Sequence, residues 1–448
     1  MPSVEPHVII RIGSHAEKHY VEKTGKRLDG IIVGANLVEA TPGATASLLA
    51  KRLARPYYID PMTYVYACDV DWIKSDQKKR KDGEVTTVRA FKRSYRLLAD
   101  RLGGVFRETI TESVPVEPED LAAEQAAVKC CESVSEYQLR RVRDELERDE
   151  EYKQYADDVA GPAAVFAPYF YIDRAAWLDL VLHLSSITVA LGLNVPVHTV
   201  ICADVKMLRD NDFRKRIVNE LPKAGVDGVW LQFTGLSEFD AGEEELQALK
   251  ALVEGLSRKV EVYNMHGGYF SLALCKYGLS GVSHGVGYGE QKYLQPIIGV
   301  TTPTVRYYLP DVRKRFGVPD IERCFERLGI TTVEEFHNKV CDCVVCKGVV
   351  SKRLSDFHEF GDKHYASKGS KRESQTPAAA KRCRFHFLLN RIKERDSLGS
   401  MTLRDICGNL DKAIDRWAGY VWLQSSCTHM ERWKHVLQPK SQPQKPAP

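Results

Sequence analysis

No stretch of the 448 residues approaches the roughly 20 consecutive apolar residues that span a bilayer. The chain opens Met1-Pro2-Ser3-Val4-Glu5, which has neither the basic start nor the apolar core of a secretory signal. Its cysteines lack regular pairing, which disfavours a disulfide-stapled secreted domain and suits a reducing compartment. The expectation is a cytoplasmic protein. No Gly-x-Gly-x-x-Gly follows the first candidate strand, which weighs against a dinucleotide-binding open sheet. Net charge is also scarce, since 64 Lys and Arg against 60 Asp and Glu leave only +4. Any contact with nucleic acid would have to come from local basic patches.

What is present is concentrated late in the chain. Cys341-Asp342-Cys343-Val344-Val345-Cys346 sets three thiols in a Cys-x-Cys-x-x-Cys knuckle, and Cys383-Arg384-Phe385-His386 follows. Three thiolates can surround one tetrahedral cation, and Cys383 or His386, a turn apart on a helix, can supply the fourth ligand. Four protein ligands leave no open position, so one structural Zn2+ is expected. Basic residues gather at 74–81 and through 347–395. Such runs are either solvated surface or phosphate contacts.

Through the middle of the chain, short apolar runs alternate with amphipathic stretches. Strands are expected at 30–35, 56–66, 164–172, 195–202, 228–233, 260–265 and 281–288, with a further one at 305–309. Helices are expected at 174–191, 211–223, 243–256 and 270–276. Apolar strands each followed by a helix imply a parallel sheet buried on both faces. Seven or eight such units fit an α/β fold of the closed (β/α)8 TIM-type barrel, with an open doubly wound sheet as the alternative. The expected organisation is a barrel over 1–310 carrying exposed inserted helices at 118–158 and a zinc-binding subdomain over 311–400. A helical extension over 401–438 and a disordered tail at 439–448 complete it. Residues 74–85 read as a basic disordered loop and 368–380 as a mobile segment.

Several local sequences then fall into a familiar order. Ile59-Asp60-Pro61-Met62 ends one candidate strand, and Val226-Asp227-Gly228-Val229-Trp230 leads to Thr234-Gly235-Leu236 on another. Tyr263-Asn264-Met265-His266-Gly267-Gly268, a helix and Gly281-Val282 follow, and the cysteine knuckle comes last. This order resembles the tRNA-guanine transglycosylase superfamily, loosely and over roughly residues 50–395. Members exchange guanine in nucleic acid for a 7-deazaguanine base. The Asp expected after Gly281-Val282 is replaced by Ser283-His284-Gly285-Val286-Gly287-Tyr288-Gly289-Glu290, and the Pro-Thr-Arg element is missing. These departures look more like the divergent, DpdA-like branch that modifies DNA. The resemblance implies a DNA or tRNA partner, a free base such as 7-cyano-7-deazaguanine, and partner proteins of a DNA-modification system. It also implies that Gly235, His266 and Gly267 help seat the base.

Base exchange breaks an N-glycosidic bond, which calls for a nucleophile at the anomeric carbon and a group to move protons. In a barrel these lie at the carboxyl ends of strands, where Asp60 is placed. Its partner is open among Glu290, Asp204 and Asp173, with Asp173 also a substrate contact. His284, in the glycine-rich segment, is a second proton carrier. Gln232 and Thr234 can hydrogen-bond a purine edge. Tyr169 and Tyr171 can stack on a base taken out of the helix. Arg313, Lys314 and Arg315, with Lys347, Lys352 and Arg353, can follow the backbone. Two further readings are a tRNA-directed enzyme and a non-catalytic, transglycosylase-like nucleic-acid-binding subunit.

Overall fold

The computed structural model of the chain describes residues 5–53, 55–81, 84–156, 159–295, 304–365, 373–418 and 427–438. Nine short strands make one sheet: β1 (His7–Ile12), β2 (Gly30–Gly34), β3 (Tyr57–Asp60), β4 (Val165–Phe166), β5 (Tyr171–Ile172), β6 (Val197–Asp204), β7 (Gly228–Thr234), β8 (Glu261–Asn264) and β9 (Gly281–His284). Every pairing is parallel, in the order β3-β2-β1-β9-β8-β7-β6-β4, and β5 pairs further along β6. The strands are Val-, Ile- and Tyr-rich and buried almost throughout, as a sheet covered on its outer face requires.

The sheet is curled. Tyr58 on β3 lies near one end of the strand order and His198 on β6 near the other, yet their rings are 6.2 Å apart. Tyr58 also meets Trp230 edge-on at 5.4 Å, and Trp230 stacks on Tyr263 at 4.5 Å. These rings, with Phe166 and His7, floor the concave face. The Trp230 indole N–H donates to His198 Nδ1 at 3.0 Å, satisfying both polar groups. A Cβ on Gly228 would come within 2.8 Å of the His198 ring, so the floor needs glycine there.

Helices cover the convex side. Among them are α1 (Glu124–Glu147), α2 (Ala175–Ala190) and α3 (Glu243–Leu256). The expected exposed helices at 118–158 are not free-standing. α1 buries Ala127, Cys130, Cys131, Val134 and Val142, and its Gln138 bonds both the N–H and the C=O of Phe166 at 2.8 Å. The basic segment expected to be disordered is an antiparallel hairpin of Lys74–Lys81 against Glu84–Phe91. Strand β1 went unanticipated.

Beyond the sheet, Tyr307–Leu309 pairs antiparallel with Lys314–Phe316, so the 305–309 run does not join the main sheet. Glu373–Gln375 is a short strand, and α4 (Pro377–Ser400) starts where mobility was expected; Thr376 caps it by accepting from Ala379 N at 3.1 Å. α4 packs against β1, Tyr307–Leu309 and the cysteine segment. Two more helices follow, α5 (Leu403–Trp417) and α6 (Thr428–Leu437). Trp433 of α6 donates to the Glu238 carbonyl at 2.8 Å, tying the C-terminal region to the loop after β7. The expected disordered tail lies outside the described residues. Among those described, no helix is long and apolar enough to cross a membrane.

Candidate active site and metal centre

Side chains alternate across a strand, so residues two or four positions beyond the aromatic floor share its face, nearer the carboxyl ends. Arg11 on β1, Asp60 on β3, Cys202 on β6 and Gln232 on β7 belong to this tier. Asp60 is fully buried. Arg11 donates to Oδ2, while Oδ1 accepts from the Tyr169 hydroxyl at 2.7 Å and from Met62 N at 2.9 Å. Burial alone would raise the Asp60 pKa. The Arg11 charge and hydrogen bond, with Lys292 and the Tyr169 hydroxyl, outweigh it and hold the carboxyl below its usual range. Asp60 is therefore an ionised carboxylate at neutral pH.

Gln232 is the contrasting member. It is buried, and among the described residues neither its Oε1 nor its Nε2 has a partner. Leaving a buried amide unpaired costs about 1–3 kcal/mol, so such a group commonly awaits a ligand or water. Next along the rim, His266 bonds the Gly289 carbonyl through Nδ1 at 3.1 Å, and its buried Nε2 is also unpaired among the described residues. Burial, with the charges of Lys292 and Arg11, keeps His266 neutral. Gly235 stands at φ +80°, where an L side chain is strained, and its N–H donates to the Lys292 carbonyl at 3.2 Å. Thr234 Oγ1 reaches the same carbonyl at 3.4 Å. A Cβ on Gly267 would come within 2.8 Å of Ser271 Cβ, so its backbone sits tight against the following helix.

Other expected site residues lie elsewhere. Tyr169 is buried with its ring 5.6 Å from Tyr64, so it orients Asp60 rather than stacking on a base. Asp173 is exposed and pairs with Arg174 at 3.6 Å, and Asp204 caps a short helix by accepting from Lys206 N at 2.8 Å. Both are rim residues. His284 alternates with Ser283, which places it on the convex side, 5.2 Å from the Phe387 ring of α4. Burial, together with Arg391, pushes its pKa down to about 3, so it is an uncharged imidazole at neutral pH. Glu290 is clamped by Arg315 and Arg391. Burial works against its charge, but the two guanidiniums win and hold its pKa low. That same clamp removes Arg315 from any phosphate surface, and Arg313 is likewise spent on Glu394 and the Tyr269 ring.

Glu238, in the loop after β7, was not foreseen. It accepts from Gly268 N at 2.8 Å, Phe270 N and Ser271 N at 3.1 Å, and the Ser271 hydroxyl. A Cβ on Gly268 would lie 2.8 Å from Glu238 Oε2 and 3.0 Å from Glu290 Oε1, so the two carboxylates face each other over that glycine. Burial, helped by the Glu290 charge, lifts Glu238 to about 7 despite those hydrogen bonds. One carboxyl of the pair is thus held ionised and the other is poised to keep its proton.

The metal centre assembles on the far side of α4. Cys341, Cys343, Cys346 and His386 bring their ligand atoms within 4.8 Å of one another. His386 Nδ1 lies 3.8, 3.4 and 3.3 Å from the three sulfurs in that order. A tetrahedral zinc with bonds of about 2.0–2.3 Å needs ligand separations of about 3.6 Å. His386 Nε2 faces the Tyr308 carbonyl at 2.6 Å, which fixes the tautomer that leaves Nδ1 for the metal. Cys383 is not in the cluster; its thiol bonds the Phe360 carbonyl at 3.3 Å. Of the two candidates for the fourth ligand, the helix phase of α4 selects His386. The donor set is consistent with one zinc.

Comparison of the chain with protein-family models and with curated proteins returns no match.

Proposed function

We propose that the chain is a nucleic-acid base-exchange transglycosylase, replacing guanine in DNA with a 7-deazaguanine such as 7-cyano-7-deazaguanine. One observation carries this reading: a fully buried, ionised Asp60 lies in the same tier as Gln232, whose amide has two unpaired polar atoms. A purine edge offers the donor and acceptor that such an amide lacks. Tyr169 and Arg11 keep Asp60 charged, so it can stabilise positive charge developing at an anomeric carbon. Closure of the sheet into a (β/α)8 barrel is part of the proposal. It is supported by the bond from Ala163 N to the Tyr57 carbonyl at 2.8 Å, which joins the two free edges. Zinc, held by Cys341, Cys343, Cys346 and His386, would fix the knuckle against α4 and leave no coordination position for substrate.

A non-catalytic nucleic-acid-binding subunit is the second reading. It is favoured by the groups that set the charge on Asp60, which are Arg11, Lys292 and Tyr169 and include no facing acid. Transfer of labelled 7-deazaguanine into guanine-containing DNA or into tRNA separates the readings. Label in DNA that is lost in Asp60→Ala supports the first. Label only in tRNA keeps the chemistry and changes the substrate. No label in either, with tight binding retained, supports the subunit.

A further inference from the structure

Lys292 helps to hold the charge on Asp60, but its own amine chemistry has no part in the reading above. Its carbonyl, tied to Gly235 N and Thr234 Oγ1, fastens the segment after Glu290 to the end of β7. From there the half-buried side chain turns inward. Nζ donates to the Tyr64 hydroxyl at 3.1 Å and sits 5.6 Å from that ring. Tyr64 packs on Tyr169, and Tyr169 bonds Asp60, so the amine and the carboxylate flank one pair of rings. Asp60 is already engaged on both oxygens by Arg11, Tyr169 and Met62 N, and so is poorly free to attack. Glu290 is clamped by two guanidiniums, and Glu238 is saturated by backbone donors of the Gly268–Ser271 segment after β8. The chain lacks the Asp that the resemblance would place after Gly281-Val282.

We propose that Lys292 is the covalent nucleophile of the exchange, its Nζ attacking the C1′ carbon of the target nucleotide; this rests on the base-exchange reading. The uncharged amine forms the Nζ–C1′ bond while the C1′–N9 bond breaks, and the electron pair leaves with guanine. One amine hydrogen ends on guanine N9. The other ends on O4′ as the sugar ring opens, giving a C1′=Nζ imine. The incoming 7-deazaguanine adds at C1′, its N9 proton and the O4′ proton return to the amine, and the ring recloses. No oxidant or reductant is consumed. Burial, with the neighbouring Arg11 charge, lowers the Lys292 pKa to about 8 against the opposing pull of Asp60, so part of the amine is uncharged at neutral pH. The Tyr64 hydroxyl is placed to relay the protons.

An imine is trapped by borohydride, whereas an ester to a carboxylate is not reduced to a stable amine link. Full-length protein is incubated with a guanine-containing DNA oligonucleotide and sodium borohydride, and run on a denaturing gel. The expected result is a covalent protein–DNA species mapping to Lys292 by peptide mass spectrometry, with a yield that rises with pH up to about 8. Lys292→Arg keeps the charge, should keep its urea midpoint, and should lose the adduct together with at least about 100-fold of the exchange rate. Labelled-base exchange is measured in parallel. Exchange without an adduct, an adduct mapping elsewhere, or undiminished exchange in Lys292→Arg overturns Lys292 as nucleophile and leaves the exchange reading standing. Neither exchange nor adduct in the unmodified protein overturns both.

Discussion

Replacing Arg391 with Met keeps an unbranched apolar stem and removes a fully buried guanidinium from the junction between α4 and the sheet. Arg391 is 0% exposed, ion-pairs with Glu290, and meets Glu394 Oε2 at 2.8 Å through NH1. Its guanidinium also lies 5.3 Å from the Phe387 ring and 5.6 Å from that of Tyr308. Breaking a buried pair by removing one partner costs about 3–5 kcal/mol, because the other charge stays buried. Glu290 retains Arg315, and Glu394 retains Arg313 and the Tyr308 hydroxyl, so about 3 kcal/mol is expected at pH 7. The pH dependence follows from Glu290. Its pKa is lower in the folded protein, so its contribution is present above the ordinary glutamate value of 4.5 and is lost as pH falls through the folded value. Arg391→Met weakens that contribution, so the gap between the variant and the parent should narrow on acidification. Urea unfolding at neutral and acidic pH measures it, with zinc content as a control that the metal centre is intact. A loss below about 1 kcal/mol at pH 7, or a gap independent of pH, would refute the reasoning.

Three other outcomes are expected. One equivalent of zinc should co-purify and be lost in Cys343→Ser and His386→Ala but kept in Cys383→Ser, by elemental analysis. Gln232→Leu removes an unpaired buried amide, so its urea midpoint should hold or rise, while binding of the free 7-deazaguanine base, read by calorimetry, should weaken by about 1–3 kcal/mol. Glu238 is raised to about 7 in the folded protein, so between pH 4.5 and 7 the folded state binds the extra proton and stability falls as pH rises. Glu238→Gln should flatten that slope, which amounts to about 3 kcal/mol across the window; an unchanged slope would place the titration elsewhere.

The parts of the fold legible in the sequence were those with strong periodicity. The 243–256 helix coincides with α3, and the apolar runs around 228–233 and 260–265 became β7 and β8, because their burial matches their pattern. β1 escaped although Val8-Ile9-Ile10 is an apolar run, and with it went Arg11, whose charge inside a buried strand was itself a signal. The metal ligands were readable from thiol spacing, but choosing between Cys383 and His386 needed the phase of α4 against the knuckle. Glu290 and His284 were noticed for their place in a glycine-rich segment. What spacing could not carry was the arrival of Arg315 and Arg391 from distant chain, which turns Glu290 into a clamped ion. Glu238 and Lys292 had no local signature at all; their character comes from burial and from charges brought near by folding. The 74–85 segment read as disordered because its composition is basic and polar, yet strand pairing needs only backbone groups.

The most direct test of the central claim is the fate of guanine in a defined DNA duplex. The protein is incubated with the duplex and 7-cyano-7-deazaguanine, and the recovered DNA is digested and its nucleosides analysed by mass spectrometry. The exchange reading predicts the modified deoxynucleoside, free guanine released in equal amount, and neither product with Asp60→Ala. Unmodified DNA with no guanine released, from protein that holds its zinc and binds the duplex, would contradict it.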